Sequence, residues 1–119
     1  KETRLDARGN GHFYVHADVN GELVEFMVDT GASFVALTMD DAERLGIPFT
    51  TSEFEIVGTG ASGPVRGKFI ELDTVDIEGK KVSSVNGAIV EGLDVSLLGQ
   101  SYLSRIGGVE MGGDYMILR

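Results

Sequence analysis

Hydrophobic and polar residues alternate with a period of two along much of this chain, the pattern of strands that bury one face. His12-Phe13-Tyr14-Val15-His16-Ala17-Asp18-Val19 is rich in aromatic and β-branched residues, Asn20-Gly21 is a two-residue hairpin turn, and Leu23 to Val28 supplies the return strand. Phe54 to Val57 and a long strand from Val65 to Val75 flank the small-residue segment Gly58-Thr59-Gly60-Ala61-Ser62-Gly63-Pro64. The alternation slips near Asp73-Thr74, which predicts a bulge there. Glu78-Gly79 turns Val75-Ile77 back toward Val82-Val85, and Asn86-Gly87 precedes a further short apolar strand, Ala88-Ile89-Val90. Val109-Glu110-Met111 and Tyr115-Met116-Ile117-Leu118 flank Gly112-Gly113 as a last hairpin.

Two segments break the period. Thr38 is an N-cap with Asp41 three residues on, Ala42 to Leu45 follow, and Gly46 caps the end, so a helix of about two turns is expected before Ile47-Pro48 stops it. Gln100 to Ile106 reads as a second short helix ending at Gly107-Gly108. The fold class is therefore all-β with two short helices. Each half of the chain holds an apolar strand, a glycine turn and a short helix, a loose duplication.

Composition narrows the classes. With 119 residues and 42% hydrophobic content the chain supports one compact core. Residues 11–119 read as a single domain, and the polar stretch 1–10 as a linker or N-terminal extension. Nineteen acidic against ten basic residues give a formal charge of −9, which disfavours nucleic acid and anionic membrane surfaces as partners. Cysteine is absent, so there is no disulfide framework, thiolate nucleophile or cysteine metal site. The chain begins at Lys1 without Met or a signal-like segment and reads as a piece of a longer protein.

The candidate chemistry sits where a strand ends. Phe26-Met27-Val28 runs directly into Asp29, followed by Thr30-Gly31-Ala32-Ser33. An acid at the end of a buried strand is costly unless it is hydrogen-bonded or used. Alone, such an acid reads as well as a turn cap. The Asp-Thr-Gly string occurs once. Other conspicuous residues have plainer readings: His12 and His16 lack a third ligand nearby and read as surface histidines, and Asp40-Asp41 complement a helix N-terminus. Asp94 is not followed by Thr-Gly as Asp29 is. No metal site and no cofactor are expected.

The ordered set resembles the retropepsin-like aspartic proteases, in particular their bacterial, often membrane-tethered branch. Phe26 to Ser33 is similar to the catalytic-loop signature of that family. Leu97-Leu98-Gly99-Gln100, with Ser101 to Ile106, is similar to its second signature, two apolar residues and glycine before a helix. Loop, short helix, Gly-rich segment, second signature and terminal strand come in the family's order, over roughly Phe13 to Leu118. The resemblance implies a closed barrel-like retropepsin fold and an aspartic endopeptidase acting on protein or peptide substrates. It assigns catalysis to Asp29, Thr30 and Gly31, with one Asp29 from each subunit of a homodimer. It places substrate against Ala32, Ser33, Ile56, Val57, Gly58, Thr59, Gly60 and Ala61, with Gly58 to Gly63 as a flap. Apolar contact from the flap region is expected from Ile56, Val57 and Val65.

The resemblance carries further expectations. Thr30 would hydrogen-bond across the dimer axis. Ala32 stands where two-lobed members usually carry a serine that donates to the carboxylate, so the pH optimum is expected to be less acidic than theirs. Tyr115 to Arg119 is apolar enough for an interface sheet, whereas polar Lys1 to Asn10 is not and suits a link to a membrane anchor upstream of Lys1, with the domain facing the periplasm. Two other readings stay open at this level. One is a retropepsin-like dimer that binds peptide with slight or no hydrolysis; the other is a small-ligand β-barrel binder.

Overall fold

The computed structural model describes every residue, Lys1–Arg119. Its strands are β1 (Thr3–Asp6), β2 (Tyr14–Val19), β3 (Glu22–Val28), β4 (Val35–Leu37), β5 (Glu55–Gly60), β6 (Gly63–Ile77), β7 (Lys80–Val90), β8 (Ser96–Leu98), β9 (Val109–Met111) and β10 (Tyr115–Leu118). Two helices, α1 (Met39–Arg44) and α2 (Gln100–Leu103), and one 3-10 turn at Thr51–Glu53 complete it.

Local chemistry builds the hairpins. Asn20 and Gly21 take φ of 51° and 94°, and Glu78 and Gly79 take 49° and 87°, the positive pair that a twisted two-residue hairpin requires. These turns join β2 to β3 and β6 to β7. Long-range pairing then closes the sheet in the order β2-β3-β8-β4-β7-β6, and β6 returns to β2 through Asp18↔Asp76 and Val19↔Val75. The result is a closed six-stranded barrel, as the resemblance implied, with β5 paired to β6 outside the ring. Two contacts in the ring are parallel: β3 beside β8 (Met27↔Leu97, Val28↔Leu98) and β4 beside β7 (Val35↔Gly87, Leu37↔Ile89). The core lies inside, where Val15, Val19, Val24, Phe26, Leu37, Leu72, Val75, Ile89 and Leu98 meet Tyr102 of α2 and Met116 and Leu118 of β10.

Helix α1 follows its sequence: the Thr38 hydroxyl accepts the Asp41 N–H at 3.0 Å, and Gly46, just past the end, has φ 75°. Four expectations need correction. The segment 1–10 is not all linker, because Thr3–Asp6 pairs antiparallel with β10, making a three-stranded sheet β1-β10-β9. Its Thr-Arg-Leu-Asp turns Thr3 and Leu5 inward and leaves Arg4 and Asp6 exposed, charges that a sheet edge tolerates. Asn86-Gly87 is no break but lies inside β7. A β-carbon on Gly87 would sit 2.9 Å from the Val35 carbonyl oxygen, so this glycine serves close packing against β4. No extra residue occurs at Asp73-Thr74, since the pairs Leu72↔Val85 and Thr74↔Ser83 keep one register; Ser84 absorbs the distortion with φ 53°. The extra residue is Val57, between the pairs Ile56↔Arg66 and Gly58↔Val65. Finally, α2 stops at Leu103 rather than Ile106.

Candidate active site

Strand β3 delivers Asp29 to the rim of the barrel, and β8 holds it there. The Asp29 N–H donates to the Leu98 carbonyl at 3.0 Å, extending the parallel register by one residue past the strand. The chain then turns: the Ala32 N–H donates to the Asp29 carbonyl at 3.1 Å, and the Gly31 N–H donates to Asp29 Oδ1 at 3.0 Å. Oδ1 is thereby oriented, while Oδ2 has no hydrogen-bond partner within the protomer.

The second signature braces this turn from below. Gln100 N–H donates to the Ala32 carbonyl (2.8 Å), Ser101 N–H to the Ser33 carbonyl (2.9 Å), and Gln100 Nε2 to the Thr30 carbonyl (2.9 Å). Ser101 Oγ accepts the Val35 N–H at 2.9 Å and donates to the Asn86 carbonyl at 2.6 Å, tying α2 to β4 and β7. Buried Ser96 accepts the Thr38 N–H at 3.0 Å and donates to Asp41 at 2.5 Å, tying β8 to α1.

A cavity of about 240 Å³ opens beside Asp29. Its floor is Phe34, Ala36, Ala88, Val90, Leu93 and Leu97, and its roof is Val57, Gly58, Thr59, Gly60 and Val65 of the β5–β6 hairpin. A larger hollow of about 570 Å³ lies elsewhere, among His16, Glu25, Asp40, Asp41, Arg44 and Asp94. It is charged; Asp41 pairs with Arg44 within it, and Glu25 pairs with Arg8, which lies outside its lining. It does not contain Asp29, so the smaller, apolar cavity is the one joined to the candidate chemistry. No group of three or more His, Asp or Glu side chains is placed to hold a metal ion.

Of the residues singled out in the sequence, the fold brings Asp29 together with Val57, Gly58, Thr59 and Gly60 across one cavity. Thr30, Gly31 and Ser33 are exposed on the loop that carries Asp29, and Ala32 is half-buried there. Ala61 lies at the hairpin tip. Ile56 does not line the cavity and is 57% exposed: neighbouring residues of a strand point to opposite faces, and Val57 is the one of the two that lines it. Sequence reasoning passed over Phe34, Ala36, Ala88, Val90 and Leu93. The available signal was Ala88-Ile89-Val90, an uninterrupted apolar run of the kind that belongs to a strand covered on both faces.

A lone carboxylate serves at one moment as a general base or a general acid, not both, and peptide hydrolysis needs the two together. The loop presents one such carboxylate per chain. Comparison with known proteins then shows the family. The family model described as "gag-polyprotein putative aspartyl protease" matches residues 15–105. An uncharacterized protein of Rickettsia prowazekii (strain Madrid E) is 40% identical over 111 residues, covering 92% of this chain and 48% of that protein. An uncharacterized protein of a Sinorhizobium species is 36% identical over 122 residues, covering 100% of this chain and 52% of that protein. This chain thus spans about half the length of the curated relatives it matches. The crystal structure of a retropepsin-like aspartic protease from Rickettsia conorii superposes with a TM-score of 0.81 at 38% identity, over 99% of this chain and 89% of that one. The EIAV protease in complex with an inhibitor shares the fold, with a TM-score of 0.64 at 18% identity over 83% of this chain and 91% of that one. The chain belongs to the retropepsin-like aspartic proteases.

Proposed function

We propose that two copies of this chain form an aspartic endopeptidase, with a water held between the Asp29 carboxylates of the two subunits. The observation that carries the reading is the single Asp29, oriented by Gly31 N–H at the mouth of an apolar cavity, in a chain without a second Asp-Thr-Gly. Two carboxyl groups a hydrogen bond apart cannot both ionise, so one stays protonated. The ionised one takes a proton from the water as it attacks the scissile carbonyl carbon, and the protonated one donates to the carbonyl oxygen. A two-fold axis makes the carboxylates equivalent before substrate breaks the symmetry.

Substrate lies extended between the floor at Ala36, Ala88 and Leu97 and the roof at Val57 to Gly60, with apolar side chains entering the cavity. The glycines of the roof suit a flap that opens and closes. Ala32 offers no hydroxyl to the carboxylate, so activity peaks at a less acidic pH than in two-lobed relatives.

Asp29→Asn tests the reading. Peptide cleavage should vanish while the thermal midpoint stays near wild type; a variant that still cleaves, or a wild type that only binds peptide, refutes it. Because the half-site needs a partner, specific activity should fall on dilution through the monomer–dimer range, and tethering two copies should restore it. Constant specific activity across that range would contradict the dimer.

A further inference from the structure

We propose that Gln100 is a positioning residue that acts on Asp29 through the Thr30–Gly31 peptide, fixing the half-site within one protomer. The proposal rests on the peptidase reading for its consequence, though not for its geometry.

The geometry is a three-member chain. Gln100 Nε2 donates to the Thr30 carbonyl at 2.9 Å, and the N–H of the same peptide unit, that of Gly31, donates to Asp29 Oδ1 at 3.0 Å. A peptide unit is planar, so holding its carbonyl fixes the direction of its N–H. Hydrogen bonds at both ends of one amide also polarise each other, and the Gly31 N–H becomes a stronger donor to the carboxylate. Meanwhile the backbone N–H of Gln100 donates to the Ala32 carbonyl at 2.8 Å, so one residue grips the turn on both sides of Gly31. Asp29 N–H to Leu98, and Ser101 N–H to Ser33, are backbone bonds that do not involve the Gln100 side chain. Gln100 supplies the side-chain hydrogen bond that reaches the backbone of residues 29–32 from outside the loop.

The residue type suits the task. Thr30 and Gly31 are exposed, and a glycine at the centre of an exposed turn has much backbone freedom to lose. A carboxamide donates without charge, whereas Lys or Arg would set a cation beside Asp29 and Glu would turn an oxygen toward the Thr30 oxygen. With the loop already shaped in the monomer, association of two copies does not carry the cost of ordering it.

The test is Gln100→Met, which keeps length and removes the donor, with Gln100→Asn as a second variant whose amide is one carbon too short. In either variant, amide hydrogen exchange at Gly31 should rise about tenfold while exchange in β6 and β7 stays at wild-type rates. For peptide cleavage, kcat should fall about tenfold with KM within about twofold of wild type, as for a misplaced reacting group rather than a lost substrate contact. Ser104→Ala, which removes a hydroxyl donating to the Gln100 carbonyl, should leave both readouts unchanged. Unchanged Gly31 exchange, or exchange that rises equally throughout the barrel, overturns the proposal. A wild type that cleaves no peptide overturns the peptidase reading alone, and Gly31 exchange still decides the role of Gln100.

Discussion

A β-carbon on Gly99 would lie 2.2 Å from the carbonyl oxygen of Phe34, so the loop carrying Asp29 and the second signature touch backbone to backbone. The same atom would lie 2.7 Å from the Ala32 carbonyl oxygen. Both obstacles are backbone and neither can swing aside as a side-chain tip would.

Gly99→Ala should therefore push residues 32–34 away from the Gly99–Ser101 backbone, cost about 3 kcal/mol of stability and, under the proposed function, abolish cleavage. Urea unfolding measures the first and peptide hydrolysis the second. Gly113→Ala, where an added β-carbon meets nothing within 4 Å, is the control and should change stability by less than about 0.5 kcal/mol. Equal effects at the two positions would refute the packing argument.

Ser96→Ala leaves the Thr38 N–H and Asp41 Oδ2 without their shared buried partner. A loss of about 1–3 kcal/mol is expected in denaturant unfolding. Thermal and chemical midpoints equal to wild type would mean that the α1–β8 link contributes nothing.

Ala36→Leu projects three more carbons into the 240 Å³ cavity rather than the core, since Ala36 pairs with Ala88 and Leu97 on the cavity face. Under the proposed function, kcat/KM for an apolar peptide should drop about tenfold or more while the thermal midpoint holds. An unchanged kcat/KM would place the substrate elsewhere.

Burial pushes the Tyr102 hydroxyl up to about 12, where it donates to the Lys80 carbonyl at 2.7 Å. Its ordinary value is near 10, so the folded state resists ionisation that the unfolded chain accepts. The contribution is whole below about pH 10 and is lost as pH rises toward 12, by up to about 3 kcal/mol. The unfolding free energy of wild type should fall relative to that of Tyr102→Phe as pH rises through that window, whatever their offset below it. Parallel curves across it would refute the assignment.

The hairpins were legible because each is a local event. Asn20, Gly21 and Gly79 are residue types that accept positive φ, and the flanking alternation names the buried face. Asn86-Gly87 shows the limit of such reading. The same dipeptide that makes a turn at residues 20–21 lies inside β7 at 86–87, because β4 packs against Gly87 too closely for a side chain. Thr3–Asp6 was unreadable as a strand for a related reason: only β10, more than a hundred residues on, supplies its partner. Ile56 and Val57, neighbours on one strand, point to opposite faces, and which face meets the cavity is set by how β5 lies over the barrel and not by the residue types.

By itself, the amino-acid sequence determined the strand-rich class, the helix α1 with its Thr38 cap, the placement of Asp29 at a strand end and the likeness to a protease family. These rest on local propensity and on short signatures whose atoms are close along the chain. Tertiary structure alone decided that Asp29 shares a cavity with Val57 to Gly60 and with Ala36, Ala88 and Leu97. It also decided that Gln100 reaches the peptide holding the Asp29 carboxylate. Those relationships depend on the parallel pairings of β3 with β8 and β4 with β7, which join residues some fifty to seventy positions apart. No local pattern encodes such a pairing, since it forms only when closing the barrel buries enough apolar surface to offset the entropy of the long loops between.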